Sequence, residues 1–206
     1  YKMMWILIIL LMPPLGVVFY LFWGHRNTTN RHARRMNSIC ARLSRTLPQD
    51  PKALHRLEVQ DESLARSARY LIRNAGAPLY ADTQSEYYAW GEEFFPRFLE
   101  ELKKAERFIF MEYFILAEGK LWDRMSAALC ERARSGVEVK IIFDDFGNIK
   151  RFSAESLQTL RDAGVEVIVF NPVHEYVNRL YFNYRDHRKI TVIDGETAYT
   201  GGVNIA

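Results

Sequence analysis

The chain has 206 residues, 49% of them hydrophobic and 26% charged, and this composition excludes an intrinsically disordered protein. The net charge of +3 gives no indication of a nucleic-acid binder, and two cysteines cannot form a disulfide framework or a metal knuckle. The charge is unevenly distributed, because residues 24–60 carry eight basic and two acidic residues, whereas residues 61–206 carry 19 basic and 23 acidic ones.

The amino-terminal segment is apolar. Met3–Trp23 comprises 21 residues without a charge, and a helix of that length is about 32 Å long, close to the thickness of the hydrocarbon core. The pattern predicts a transmembrane helix over residues 1–24, kinked at Pro13-Pro14. The arginines that follow predict a cell-membrane protein whose later domain is cytoplasmic. They either fix this topology only or also attract anionic headgroups.

The remaining chain predicts an α/β domain. Residues 25–60 form a basic juxtamembrane linker, broken near Pro48 and Pro51, and a helix over Glu62–Asn74 ends at Gly76. Strands alternating with helices follow over residues 61–206: Arg107–Leu116, Val137–Phe143, Val165–Phe170, Ile190–Ile193 and Thr197–Thr200 are the predicted strands. This alternation predicts a largely parallel mixed sheet flanked by helices, with the last two strands forming a hairpin around Asp194-Gly195.

The last 20 residues carry the candidate chemistry. His187 and Lys189 are two residues apart, so on a strand both side chains face the same side. An imidazole that attacks or transfers a proton, beside an ammonium that stabilises oxygen charge, suits a phosphoryl centre. Gly202, after Gly201, permits close backbone approach, and Asn204 can donate an amide hydrogen bond to a phosphate oxygen.

The spacing His187-x-Lys189-x4-Asp194-x6-Gly201-Gly202-x-Asn204 is similar to the HKD signature of the phospholipase D superfamily. Residues 79–206, including FIFMEYFI, SGVEVKIIFDDFG and DAGVEVIVFNP, resemble the first catalytic half of bacterial cardiolipin synthases. The resemblance extends to the amino-terminal apolar segment and thus covers nearly the whole chain. It implies a phospholipase D-like half-domain over residues 61–206.

The resemblance also implies roles for individual residues. His187 is the expected nucleophile, which forms a phosphatidyl-histidine, and Lys189, Asn204 and Gly202 are expected to bind the phosphate. Asp194 belongs to the catalytic motif, but its odd offset from His187 predicts a supporting role away from phosphorus. The implied reaction joins two phosphatidylglycerol molecules into cardiolipin and releases glycerol. It requires no cofactor, and the sequence has no cluster with metal-ligand spacing.

Six further residues are candidates for the surroundings of the site: Glu112, Asp144, Asp145, Gly147, His174 and Tyr176. Asp144, Asp145 and Gly147 follow a strand and either shape a loop or border the substrate. Glu112 lies inside a predicted buried strand, so it needs a partner or an edge location. The two loop residues before the motif either line a lipid entrance or belong to a solvated loop.

The superfamily builds one site from two HKD motifs, and this sequence contains one. We therefore expect a piece of a longer protein, inactive alone, whose second half lies downstream or in another chain. Two alternatives stay open: a single-motif phosphodiesterase or nuclease that completes its site by dimerising, and an inactive membrane module. The net −4 of residues 61–206 argues against a polynucleotide substrate.

Overall fold

The computed structural model describes residues 2–24, 30–48, 50–81, 83–149, 151–172 and 185–206. The chain divides into two compact units, Tyr1–Glu86 and Tyr87–Ala206. The sequence-based boundaries at residues 24 and 60 stay predictions.

The first unit consists of helices. They are α1 (Lys2–Leu11), α2 (Pro13–Phe19), a π-helical turn (Tyr20–Gly24), α3 (Asn30–Thr46), α4 (Pro51–Gln60) and α5 (Glu62–Ala75). The predicted ending of α5 is confirmed, since Gly76 adopts a left-handed conformation there (φ 62°). At its start, the Asp61 carboxylate accepts hydrogen bonds from the backbone N–H groups of Ser63 and Leu64.

The amino-terminal segment does not form the single kinked transmembrane helix predicted over residues 1–24. The helix breaks at Met12 because Pro13 and Pro14 start a new one, and proline cannot continue the hydrogen-bond pattern of the preceding turn. Gly16 packs so closely on α1 that a Cβ there would lie 2.7 Å from the Ile8 backbone oxygen. Among the described residues, the structure contains no helix that combines the length and the hydropathy needed to cross a membrane.

The second unit is a five-stranded mixed sheet with helices. Its elements are α6 (Gly91–Lys104), β1 (Phe108–Tyr113), α7 (Lys120–Arg134), β2 (Glu138–Asp144), α8 (Asp145–Asn148), α9 (Ala154–Asp162), β3 (Glu166–Phe170), β4 (Lys189–Ile193) and β5 (Thr197–Thr200). The strand order is β3-β2-β1-β4-β5. The pairings β1–β2 and β2–β3 are parallel, but β1–β4 and β4–β5 are antiparallel. The sheet is therefore half parallel, not largely parallel as predicted.

The core lies on one face of this sheet. Odd-numbered residues of β1, such as Ile109 and Met111, are buried together with Phe98 of α6 and Leu129 of α7. On the opposite face Phe110 and other even-numbered apolar residues are partly exposed. Within the described part of this unit, the predicted flanking of the sheet by helices thus holds for one face.

The sheet topology positions the candidate site. Because β4 runs antiparallel to β1, its first residue, Lys189, pairs with the last residue of β1, Tyr113. Tyr113 also pairs with Phe143 near the end of β2. The start of β4 therefore lies at the carboxyl ends of the two central parallel strands, where α/β sheets commonly bind ligands.

Candidate active site

His187 and Lys189 lie side by side at the start of β4. Nζ of Lys189 is 3.2 Å from Nδ1 of His187 and donates a 2.8 Å hydrogen bond to the His187 backbone oxygen. The ring of Phe114, directly after β1, lies 4.7 Å from the imidazole centroid and 5.4 Å from Nζ of Lys189. The two-residue spacing predicted this proximity, because residues i and i+2 of an extended segment face the same side.

Lys189 is a buried cation, only 5% exposed, whereas His187 is exposed. In the part of the chain that the structure describes, no carboxylate lies within ion-pair distance of its ammonium. On the same face of the sheet, the hydroxyls of Thr191 and Tyr113 lie 3.2 Å apart in the core. Burying an ammonium without a counter-ion is costly, so the arrangement favours an anion bound beside His187.

Asn204 reaches the same end of the sheet after β5. Its side-chain oxygen accepts a 3.1 Å hydrogen bond from the backbone N–H of Ile115. The neighbouring Ile205 forms a bridge with Leu116, which continues the line of β1. The carbonyl of the Asn204 amide is therefore used for positioning, and among the described residues no acceptor pairs with its NH2 group. A Cβ at Gly202 would meet no atom of the chain within 4 Å.

Asp194 lies at the other end of β4. Its carboxylate accepts 2.8 Å hydrogen bonds from the backbone N–H groups of Glu106, Arg107 and Phe108, where β1 begins. Partial burial acts to raise the pKa of this carboxyl, but the three N–H donors outweigh it and hold the pKa below its usual value. Asp194 lies five residues after Lys189, which along a strand is a distance of about 17 Å. Asp194 therefore anchors a strand and does not contact the His187 region.

Asp144, at the end of β2, links the site to the neighbouring turn. One oxygen accepts a 2.9 Å hydrogen bond from the backbone N–H of Asp186, the residue before His187. The other oxygen caps α8 through the N–H groups of Phe146 and Gly147 and lies 3.2 Å from the Arg185 guanidinium. The fully buried Asp144 thus holds the segment that leads into His187.

The turn after β2 packs directly on Phe114. A Cβ at Gly147 would lie 2.3 Å from the Phe114 backbone oxygen, so only glycine fits there. Asn148 donates from its amide to the backbone oxygens of Phe114 and Asp144, and it accepts from the N–H of Leu116. The loop-shaping alternative for Gly147 is the one these contacts support, and Asp145 forms the first residue of α8.

A second group of charges lies on the opposite side of the segment around His187. The Asp186 carboxylate accepts a 3.0 Å hydrogen bond from Nε of Arg188, whose guanidinium also lies 2.6 Å from Glu112. Burial, and then a hydrogen bond and charge repulsion from Asp186, raise the pKa of Glu112 to about 7. Burial acts to raise the pKa of Asp186, but hydrogen bonds from Glu112 and Arg188 outweigh this effect, so the pKa lies below its usual value. Glu112 thus has the partner that its position required.

Asp186 and Asn148 are site-forming residues that the sequence analysis missed. Part of the signal for Asp186 was available, because Asp186 and Arg188 alternate with His187 and Lys189 and so face the opposite side of an extended segment. His174 and Tyr176 lie outside the described residues. Among the residues that are described, no three His, Cys, Asp or Glu side chains are grouped to hold a metal ion.

Comparison with known proteins identifies the family whose sequences this chain matches. Residues 98–206 match the family described as "Cardiolipin synthase, PLD-like domain", and residues 1–25 match "Phospholipase_D-nuclease N-terminal". The chain is 34% identical to a cardiolipin synthase of Geobacillus kaustophilus and 31% identical to one of Alkalihalophilus pseudofirmus. Each match covers 98% of this chain and 40% of the other protein, so the chain spans about two fifths of these relatives.

Among solved structures, Nuc from Salmonella typhimurium, a phospholipase D family member, is similar to this chain. The similarity has a TM-score of 0.39 and 22% sequence identity, and it covers 52% of this chain and 62% of that chain.

Proposed function

The chain belongs to the cardiolipin synthase family of phospholipase D-like domains, and from this premise we propose that it supplies half of a phosphatidyltransferase active site. The complete site transfers a phosphatidyl group from one phosphatidylglycerol to a hydroxyl of a second. The products are cardiolipin and glycerol. His187 is the nucleophile, and Lys189, Asn204 and Gly202 bind the phosphate.

One observation carries this proposal: the buried Lys189 ammonium beside His187 has no carboxylate partner among the described residues. A phosphodiester that enters the site supplies the missing negative charge. Its phosphorus then lies next to the imidazole, and the ammonium stabilises the additional charge that develops on the non-bridging oxygens. The free NH2 group of Asn204 supplies a further donor from the same end of the sheet.

The reaction proceeds in two displacements. In the first, an imidazole nitrogen of His187 forms a bond to phosphorus, and the bond from phosphorus to the glycerol oxygen breaks. A general acid protonates that oxygen, so glycerol leaves and a phosphatidyl-histidine remains. In the second, a hydroxyl of another phosphatidylglycerol attacks phosphorus while a base takes its proton. The bond to His187 breaks, and cardiolipin forms.

A histidine bonded to phosphorus cannot also be this acid and base. Within residues 61–206 the other histidine is His174, and no lysine follows it at the motif spacing. We propose that a second HKD half supplies the proton-transfer group, either from sequence beyond residue 206 or from another chain. Residues 1–206 alone are then inactive, and no metal or other cofactor takes part.

The proposal includes a location at the cell membrane, where both lipid substrates reside. The amino-terminal helices expose apolar side chains such as Leu7, Leu10 and Phe22, which lipid covers more favourably than water. The arginines after this segment favour the cytoplasmic side. In a Cys40→Ser background, a membrane-impermeant maleimide then labels the introduced thiol of Ser63→Cys only from the cytoplasmic side, and labelling in intact cells contradicts this topology.

The proposed activity is tested with phosphatidylglycerol vesicles and the natural gene product that contains these residues. Mass spectrometry of extracted lipid should detect cardiolipin and an equal amount of released glycerol. His187→Ala should abolish both, whereas the matched control His55→Ala should not, because His55 lies exposed on α4. Hydrolysis of oligonucleotides without cardiolipin formation would instead support the single-motif nuclease. Equal synthesis by His187→Ala would refute the proposed nucleophile.

A further inference from the structure

Helix α3 (Asn30–Thr46) is one-sidedly basic. Its sequence, NRHARRMNSICARLSRT, contains five arginines and no acidic residue. At 100° per residue, the described arginines Arg34, Arg35 and Arg42 fall within an arc of about 100°. All three side chains are exposed. The helix therefore presents a continuous positive strip along one side.

The other side of α3 is apolar and also exposed. Ile39 is 37% exposed and Leu43 is 53% exposed, and both share a second arc of about 100° with the exposed Cys40. This arc does not overlap with the arginine arc. In the first unit as described, Ile39 and Leu43 remain exposed to water, and burying them would be favourable because it removes apolar surface from water.

We infer that α3 lies in the interface of an anionic phospholipid bilayer, with Ile39, Cys40 and Leu43 towards the acyl chains and Arg34, Arg35 and Arg42 at the headgroups. A helix with a basic face, an apolar face and low overall hydrophobicity is typical of interfacial binding. Charge complementarity selects anionic lipid, because α3 contains no acidic residue. The inference rests on the proposed function only in its choice of phosphatidylglycerol as that lipid.

The two faces together argue for a bilayer over other occupants. A polynucleotide would satisfy the arginines and leave Ile39 and Leu43 in water. A second copy of the helix would bury the apolar arc but leave the arginine strips facing outward, with no carboxylate on α3 to pair them. A bilayer surface satisfies both arcs at once. Long arginine side chains beside the apolar arc can extend to the headgroups while their methylene groups stay buried.

Cys40 provides a local reporter of this contact. It is exposed on the apolar side of α3, whereas Cys130 is buried and its thiol pKa is raised by burial. An environment-sensitive fluorophore therefore attaches selectively to Cys40 in the full chain, with Cys40→Ser as the background control. In vesicles of phosphatidylglycerol and phosphatidylcholine, the emission should shift to the blue and be quenched by brominated acyl chains.

Vesicles of phosphatidylcholine alone separate α3 from the apolar amino-terminal helices. Those helices contain only one charged residue, Lys2, so their apolar side chains associate with either lipid, but the Cys40 probe should stay in water on the neutral surface. Reversing two arginines, Arg35→Glu with Arg42→Glu, should lower the ratio of lipid-bound to free α3 at least about 30-fold, at about 1 kcal/mol per basic residue. The matched control on α5, Arg66→Glu with Arg73→Glu, reverses two exposed arginines at the same seven-residue spacing and should leave the probe signal unchanged.

These outcomes are separable from the proposed activity. His187→Ala should abolish cardiolipin formation and leave the Cys40 signal as it is. Equal quenching in neutral and anionic vesicles, or no effect of the arginine reversal, would overturn the inference. A blue shift without lipid, at concentrations where the chain self-associates, would overturn it in favour of a helix–helix contact.

Discussion

Replacing Asp194 by Asn separates the strand-anchoring role of this residue from a role at phosphorus. Asp194 adopts a left-handed backbone conformation (φ 56°), which asparagine tolerates well, so the substitution adds no backbone strain. It also keeps the size of the side chain. What changes is the number of acceptor oxygens that face the three N–H groups at the start of β1.

The magnitude follows from those hydrogen bonds. Asparagine retains an acceptor for Arg107 and Phe108, which share one carboxylate oxygen, but it places an NH2 group opposite the N–H of Glu106. The hydrogen bond from Glu106 is lost, and the hydrogen bonds from Arg107 and Phe108 then have a neutral acceptor. Hydrogen bonds to a charged group contribute about 1.5–3 kcal/mol and neutral ones about 0.5–1.5, and this site is partly solvated. Water can replace much of this bonding at the half-buried Asp194, so we expect a loss of about 1–2 kcal/mol in the free energy of unfolding, well below the sum of those contributions.

Urea unfolding measures this loss, and hydrogen exchange localises it. With a slope of about 2 kcal/mol per molar urea, the midpoint falls by about 0.5–1 M. Amides of residues 106–108 should exchange faster than in the wild type. Glu196→Gln is the matched control, because it removes a charge from the same exposed turn and should change stability by less than about 0.5 kcal/mol.

Transfer activity completes the test of Asp194. At about 17 Å from Lys189, the substitution should change the rate per folded molecule only a few-fold. Unchanged unfolding and unchanged exchange at residues 106–108 would refute the anchoring role. A loss of more than about 100-fold in activity with unchanged stability would place Asp194 at the reacting phosphate after all.

Three further substitutions test separate parts of the account. Glu112→Gln should remove a pH dependence of stability. The pKa of Glu112 is about 7 in the folded protein and about 4.5 in the unfolded chain, so between these values the folded wild type holds a proton that the unfolded chain has lost. The free energy of unfolding of the wild type should therefore fall between about pH 5 and 7, and that of the variant should not. Gly147→Ala should cost about 1–3 kcal/mol in the same urea assay by displacing Phe114, whereas Gly201→Ala, with open space around it, should cost almost nothing. Lys189→Met should lower transfer about 10²–10³-fold while unfolding becomes no easier, because an unpaired buried charge is removed; lost stability with retained activity would contradict this.

Local signals predicted much of the second unit. The hairpin of β4 and β5 follows from alternating apolar residues around Asp194-Gly195, and the structure has this turn with both residues at positive φ. The serine before α9 caps the helix, as is typical of this residue type, since Ser153 accepts a hydrogen bond from the N–H of Ser156. These features depend on residues close in sequence, so periodicity and turn chemistry are sufficient to find them.

Strand order could not be read in the same way. Alternating strands and helices predict parallel crossovers, and β1, β2 and β3 follow that rule. β4 does not, because it pairs antiparallel with β1. Whether a strand enters parallel or antiparallel depends on packing between distant segments, which hydrophobic periodicity does not record.

In the candidate site, too, local features could be predicted from the sequence and long-range contacts could not. The proximity of His187 and Lys189 is a local property and was predicted. Asp144 lies 42 residues before Asp186, and their hydrogen bond exists only once β2 and the segment before β4 reach the same edge of the sheet. The amino-terminal break is also a local effect: Pro13-Pro14 predicted a kink within one helix, whereas in the structure these prolines start a new helix after Met12.

The most direct test of the central claim is to identify the residue that carries the phosphatidyl group. The natural gene product is mixed with phosphatidylglycerol radiolabelled at phosphorus, quenched in alkali to preserve phosphohistidine, and digested for peptide mapping. The account predicts label on the peptide that contains His187, its loss in His187→Ala and its retention in His55→Ala. Cardiolipin formation with no label on His187, or with label on another residue of this chain, would contradict it.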